Sequence, residues 1–119
     1  MNTVDENIIS LSNLEDGWNF GDGNKIRKDI IEITLFIRKI IDIETYNFIE
    51  AFPLTDGGIS LRIGFDKENV IGLLIYKKEE INAYYDNNNQ IIDLGVVKLS
   101  EIKKFINLEH EKFKVNKYN

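Results

Sequence analysis

The chain has no cysteine, and only one each of proline, tryptophan, methionine and histidine. Without thiols there can be no disulfide, no thiolate nucleophile and no cysteine-bound zinc or iron–sulfur centre. The lone histidine, His110, lacks a second histidine for a metal and a GxSxG partner for nucleophilic catalysis. Set among Glu109, Glu111 and Lys112, it reads as a surface helix residue. Long hydrophobic runs are also missing, because Lys and Arg interrupt every apolar stretch before it reaches a membrane span. The opening MNTVDENIIS has neither the basic stretch nor the apolar run of a signal peptide, so the expected location is the cytoplasm. Positive charge is scarce: 15 Lys and Arg stand against 20 Asp and Glu, for a net charge of −5. Such a chain gains nothing from counterion release on DNA, which argues against a nucleic-acid partner. The same charge can steer a protein towards a basic partner, or simply keep it soluble.

What is present suffices for a core. Of 119 residues 43% are hydrophobic, with seven Phe and five Tyr, which indicates one domain over residues 1–119 with frayed ends at 1–4 and 112–119. Residues 5–14 suit a short amphipathic helix through Ile8, Leu11 and Leu14, stopped at Gly17. Residues 25–44 carry the strongest helical period, through Ile26, Ile30, Ile33, Ile37, Ile40 and Ile41. Lys28 with Glu32, and Arg38 with Asp42, form i,i+4 pairs on its outer side. The period then changes to two. Strands are expected at 48–52, 59–65, 70–76 and 81–85, separated by short polar turns. Asp56, Gly57 and Gly58 make one hairpin turn. Residues 86–90 read as a loop, and 91–97 stay open between an extended lead-in and a short fifth strand. A last helix over 99–108, with Ser100 as cap, turns Leu99, Ile102, Phe105 and Ile106 inward. The expected fold is an α+β two-layer sandwich: N-terminal helices, a four-stranded antiparallel meander and a C-terminal helix.

Few residues have the spacing that chemistry needs. GDGNKI, residues 21–26, lacks the third glycine and the preceding strand of a dinucleotide fingerprint. A cap from Asp22 or Asn24 onto the long helix explains it better. DNNNQIIDLGVV, residues 86–97, has Ile91 and Val97 where a calcium loop needs Gly and Glu. No catalytic, cofactor-binding or metal residue is therefore assigned, and the chain reads as a non-enzyme. In WNFGDGN, residues 18–24, Trp18 and Phe20 are expected to plug the end of the core while Gly21 and Gly23 let the chain turn. Tyr84 and Tyr85 are adjacent on a strand and must point to opposite faces, with Tyr76 a candidate to join the outer one. Those rings are either interface anchors or are covered by the first helix or the C-terminal tail.

LSNLEDGWNFGDGNKI, residues 11–26, resembles the opening of a poorly characterised class of short bacterial proteins: a leucine-rich helix, GWDGYGA, a polar or proline-bearing step, then a long helix. The class continues with a proline and a DGGI-x-L-x-W strand, here Pro53 followed by Asp56-Gly57-Gly58-Ile59-Ser60-Leu61-Arg62-Ile63. Asn19 stands in place of Asp, Phe20 of Tyr, Asp22-Gly23 of Ala, and Ile63 of the second Trp. The resemblance implies the α+β layout and no particular activity.

Two classes of function remain. One is a non-catalytic protein-interaction domain, such as an immunity protein, antitoxin or phage-type inhibitor that occludes a basic partner surface. The other is a small-ligand-binding domain with a pocket near Trp18, or an accessory subunit whose open sheet edge extends a partner's sheet. The two edges of a meander also leave the oligomeric state open.

Overall fold

The structure, a computed structural model, describes residues 2–118, with backbone alone at 117 and 118. Helix α1 (Thr3–Ser10) opens on Asn2, whose side chain accepts a hydrogen bond from the Asp5 amide at 2.8 Å. That cap starts the helix two residues earlier than its apolar spacing predicts. The chain tightens into a 3₁₀ turn at Leu11–Asn13, and Ile8 and Leu11 are buried.

Helix α2 (Lys28–Ile40) is shorter than the expected 25–44. Ile26 and Ile41 are buried as the period demands, yet Ile26 precedes the helix outside any regular element and Ile41 follows it in extended backbone. The approach is held extended by tertiary hydrogen bonds: the Asn24 amide donates to the Thr55 carbonyl, and the Lys25 amide to the Asp16 carboxylate. Neither Asp22 nor Asn24 therefore caps α2; its N-cap is Arg27, and Asp29 in the first turn accepts from the Ile30 amide. At the far end Asp42 caps a 3₁₀ turn over Ile43–Thr45.

Five strands follow, β1 (Phe48–Pro53), β2 (Ile59–Gly64), β3 (Asn69–Lys77), β4 (Glu80–Asn87) and β5 (Gln90–Val97), in the sheet order β1-β2-β3-β4-β5. Every neighbouring pair is antiparallel. The meander thus has five strands where four were expected. The reason lies in the asparagines: Asn88 and Asn89 both adopt positive φ (51° and 73°), which makes a two-residue turn whose twist suits a hairpin. The Asn89 amide donates to the Asp86 carboxylate and fixes that turn. One irregularity interrupts β5, where Leu94 is an extra residue between the pairs Tyr84–Asp93 and Ala83–Gly95.

Ile49, Ala51, Ile59, Leu61, Ile63, Ile71, Leu73, Ile75, Ile81 and Ala83 share one cluster with Ile8, Ile30, Ile37, Ile102 and Ile106 of the helices. Because these strand positions alternate, all three helices cover the same face of the sheet. The α+β two-layer architecture is the one expected. Helix α3 (Ile102–Tyr118) follows a 3₁₀ turn at Leu99–Glu101, and Ser100 lies inside that turn instead of capping the helix. Over the segments expected to fray, the described backbone is helical from Thr3 and on through 118; Ile102, Ile106, His110 and Phe113 follow the helical period on the inner side of α3, and Met1 and Asn119 lie outside the described residues. Among the described residues no helix is long and apolar enough to cross a membrane.

Lys28 and Glu32 form the expected pair at 4.0 Å on the exposed side of α2. Arg38 instead reaches α1, placing Nε and Nη2 2.6 and 2.8 Å from the two carboxylate oxygens of Asp5. Both side chains are largely buried, at 13% and 17% exposure, so this bidentate pair welds α1 to α2. Replacing Arg38 by Met strands the Asp5 carboxylate, and the expected loss is about 2–3 kcal/mol, somewhat below that of a fully buried pair. Urea denaturation of Arg38→Met measures it; a loss typical of surface pairs, under about 1 kcal/mol, contradicts the weld.

Candidate interaction surface

The face of the sheet away from the helices has no second layer among the described residues, and it seals itself. Phe48 pairs with Gly64 across β1 and β2, and Tyr84 with Gly72 across β4 and β3. In each pair the ring lies flat over the glycine, so closely that a β-carbon there would collide with it; Tyr76 covers Gly58 in the same way. Glycine is required at these positions for close approach and for no other reason. Tyr76 and Tyr84 therefore stand on this uncovered face. Tyr85 does not: it turns to the helix side, where its hydroxyl donates to Asn69 Oδ1 at 2.9 Å.

A polar network crosses the centre of the uncovered face. Arg62 donates to the Tyr84 hydroxyl at 2.9 Å and to Asp86 Oδ2 at 3.0 Å, and its Nε lies 3.8 Å from Glu50. Desolvation opposes the charge on Arg62, but Asp86 and Tyr84 outweigh it and hold the guanidinium firmly protonated. The next row across the strands is Phe52–Ser60–Leu74–Asn82–Val96, with exposed Phe52 and Val96 at its ends. The pairing of Arg62 with Asp86 was not anticipated from sequence. Its only signal is that strand alternation places both on the polar face.

Tyr76 reaches the hairpin turn. Its hydroxyl donates to Asp56 Oδ2 at 2.8 Å, and desolvation together with that bond pushes the phenol up to about 12. Asp56 also accepts from the Gly58 amide, and Gly57 takes φ of 96° with the Lys25 carbonyl close beside it. Since Asn24 is bonded to Thr55, the WNFGDGN stretch docks directly on this turn. The two segments that carry the sequence resemblance are thus in contact.

Within WNFGDGN the indole of Trp18 is half-buried. It lies against Gly23, and Nε1 donates to the Asn24 carbonyl at 2.7 Å. Gly23 serves to admit that ring, while Gly21, at φ of 97°, provides the turn. Phe20 departs from expectation altogether: it is fully exposed, at 103%, and does not plug the core. Its backbone takes φ of 53°, in the left-handed region that phenylalanine rarely occupies, and this swings the ring outward. The loop around it carries Glu15, Asp16 and Asp22, with Asp56 in the adjoining turn.

His110 also departs from its expected place. It stacks on Phe65 at 4.8 Å between ring centroids, with Tyr46 at 5.0 Å and Phe113 at 6.2 Å. Beside this aromatic cluster a groove of about 490 Å³ is lined by Tyr85, Ile92, Leu94 and Phe113, with Asn69, Glu109 and Lys112 among the polar groups at its rim. Those polar side chains are already engaged: Asn69 with Tyr85 and Asp66, Lys112 with Glu109. Among the described residues no three His, Asp or Glu are grouped to hold a metal ion. No family model matches the chain, and no curated protein or solved structure matches it.

Two outcomes test these assignments. Gly72→Ala should cost about 1–3 kcal/mol by forcing Tyr84 off the sheet and away from Arg62. In a Tyr84→Ala background the same change should cost less than about 0.5 kcal/mol, which a double-mutant cycle in urea reads directly. Desolvation by the aromatic cluster, helped by Lys114 and opposed by Glu111, lowers the pKa of His110 below its ordinary 6.5. The unfolded chain then takes up the proton first, so stability is complete above about pH 6.5 and declines as pH falls through that value. His110→Phe should flatten the slope between about pH 5.5 and 7 in thermal melts; an unchanged slope places its origin elsewhere.

Proposed function

We propose that the protein is a non-catalytic, cytoplasmic protein-interaction domain of the immunity, antitoxin or phage-inhibitor kind, and that it occludes a basic surface of its partner. The observation that carries this reading is the display of Phe20. A wholly exposed phenylalanine on a loop is unfavourable in water and adds nothing to the core, while its left-handed backbone carries a conformational cost. The loop is nevertheless well braced, by Trp18 against Gly23, by Asn24 bonded to Thr55 and by Asp16 bonded to Lys25. A rigid aromatic projection loses little entropy on binding, which is the property of an interface anchor. Glu15, Asp16 and Asp22 in the same loop and Asp56 in the adjoining turn, set against Lys25 paired with Glu15 at 3.8 Å, leave a net negative charge suited to steering a basic partner with an apolar pocket. Tyr76, bonded to Asp56, and Phe52 on β1 extend the same surface onto the uncovered sheet. A small-ligand reading draws less support, because Asn69, Glu109 and Lys112 at the rim of the groove beside Phe113 already bond within the protein.

The experiment is a capture from the host of origin with the tagged chain and with Phe20→Ala, read by mass spectrometry over a salt series. The expected result is one basic protein retained stoichiometrically by the wild type, released progressively as ionic strength rises and lost with Phe20→Ala. Because Phe20 makes no core contact, that variant should melt within about 0.5 kcal/mol of the wild type. Equal capture by both proteins, or a captured protein without basic character, overturns the reading.

A further inference from the structure

We propose that the protein is a symmetric dimer formed by antiparallel pairing of β5 with β5 of a second copy, which joins the two meanders into one ten-stranded sheet. The two edges of the sheet are treated differently by the sequence. Strand β1 ends in Pro53, which cannot donate to a further strand, and α1 lies along it with Asn7 Nδ2 donating to the Ala51 carbonyl. That edge is blocked. Strand β5 has no proline and a single charge, Asp93; its bulge at Leu94, where the Gly95 amide donates to Asp93 Oδ1, leaves residues 90–93 as the regular stretch of edge, and nothing among the described residues lies beyond it in the sheet.

Its apolar side chains are exposed on both faces: Ile91 and Val96 on the uncovered face, at 60% and 57%, and Ile92 towards the helices, at 57%. An exposed apolar edge without proline is a template for another strand, and here the bulge confines that template to the stretch before Leu94. Helix α3 continues the patch. Leu108 and Val115 are exposed, seven residues apart on one stripe, with Lys112 between them lining the groove that Ile92 and Leu94 also line. A sixth strand beyond β5 would bring its own Ile92 and Leu94 under this stripe, and a two-fold axis makes the coverage reciprocal.

Charge decides for a second copy over the basic partner assigned to the Phe20 surface. Along β5, its exit and the α3 stripe, the exposed charges are Asp93, Lys98, Glu101, Lys104, Glu111 and Lys112, balanced in sign. A balanced patch complements itself, whereas the acidic loop around Phe20 repels its own copy.

Sedimentation equilibrium across the micromolar range tests the proposal, together with Ile92→Lys and Leu108→Lys. The wild type should sediment as a dimer. Each variant should weaken dimerisation by tenfold or more, since a lysine is placed into an apolar contact while its own site in the monomer is already exposed. Should one variant misfold, the other still reads the interface. A wild type that stays monomeric throughout, or a dimer that survives both substitutions, overturns the proposal. Phe20→Ala should leave the dimer intact, and Ile92→Lys should still capture a basic partner, so the two surfaces stand or fall separately.

Discussion

Burial of isoleucine, leucine and alanine at alternate positions of β2, β3 and β4 is the constraint on which the rest of the structure depends. Period-two alternation commits one face of the sheet to hydrocarbon, and among the described residues the three helices cover it. Once they lie on that side, the opposite face must protect its backbone without a second layer. The chain does this by laying Phe48, Tyr76 and Tyr84 over Gly64, Gly58 and Gly72. A ring lying flat on a glycine keeps water from the strand beneath and holds its polar edge where Arg62 can reach it. The uncovered face is therefore bonded internally, through Arg62 to Tyr84 and Asp86 and through Tyr76 to Asp56.

The same commitment fixes what the N-terminal loop does. Trp18 is placed over Gly23, and the loop is bonded to the DGG turn through Asn24 and Thr55. Phe20 is turned out through a backbone conformation that favours glycine. Its neighbours in the loop include Glu15, Asp16 and Asp22, and the proposed recognition of another macromolecule rests on that display. The opposite end of the sheet differs in character, with an open apolar edge and charges of both signs.

Much of this was legible in the residues themselves. The helix–helix–meander–helix order follows from where the apolar period changes from 3.6 to 2. The opposed directions of Tyr84 and Tyr85 follow from adjacency on a strand. The Asp56-Gly57-Gly58 turn follows from glycine's tolerance of positive φ. These features are local, and local chemistry specifies them.

Other features were settled only by contacts distant in sequence. Ile26 and Ile41 carry the helical period yet stand outside α2, because periodicity reports burial, and hydrogen bonds from residues far along the chain decided the backbone. Arg38 chose Asp5 over Asp42, since a largely buried bidentate partner outweighs an exposed one on the same helix. The fifth strand formed because β4 offered an edge to pair with, and His110 gained its aromatic neighbours only when α3 ran on past residue 108. Phe20 is the clearest case: it was expected in the core, and the left-handed backbone at its own position turned it to water. Sequence by itself determined which residues must be buried together and where the chain turns. Tertiary structure decided which of the remaining groups are exposed, because exposure depends on what the rest of the chain has already covered.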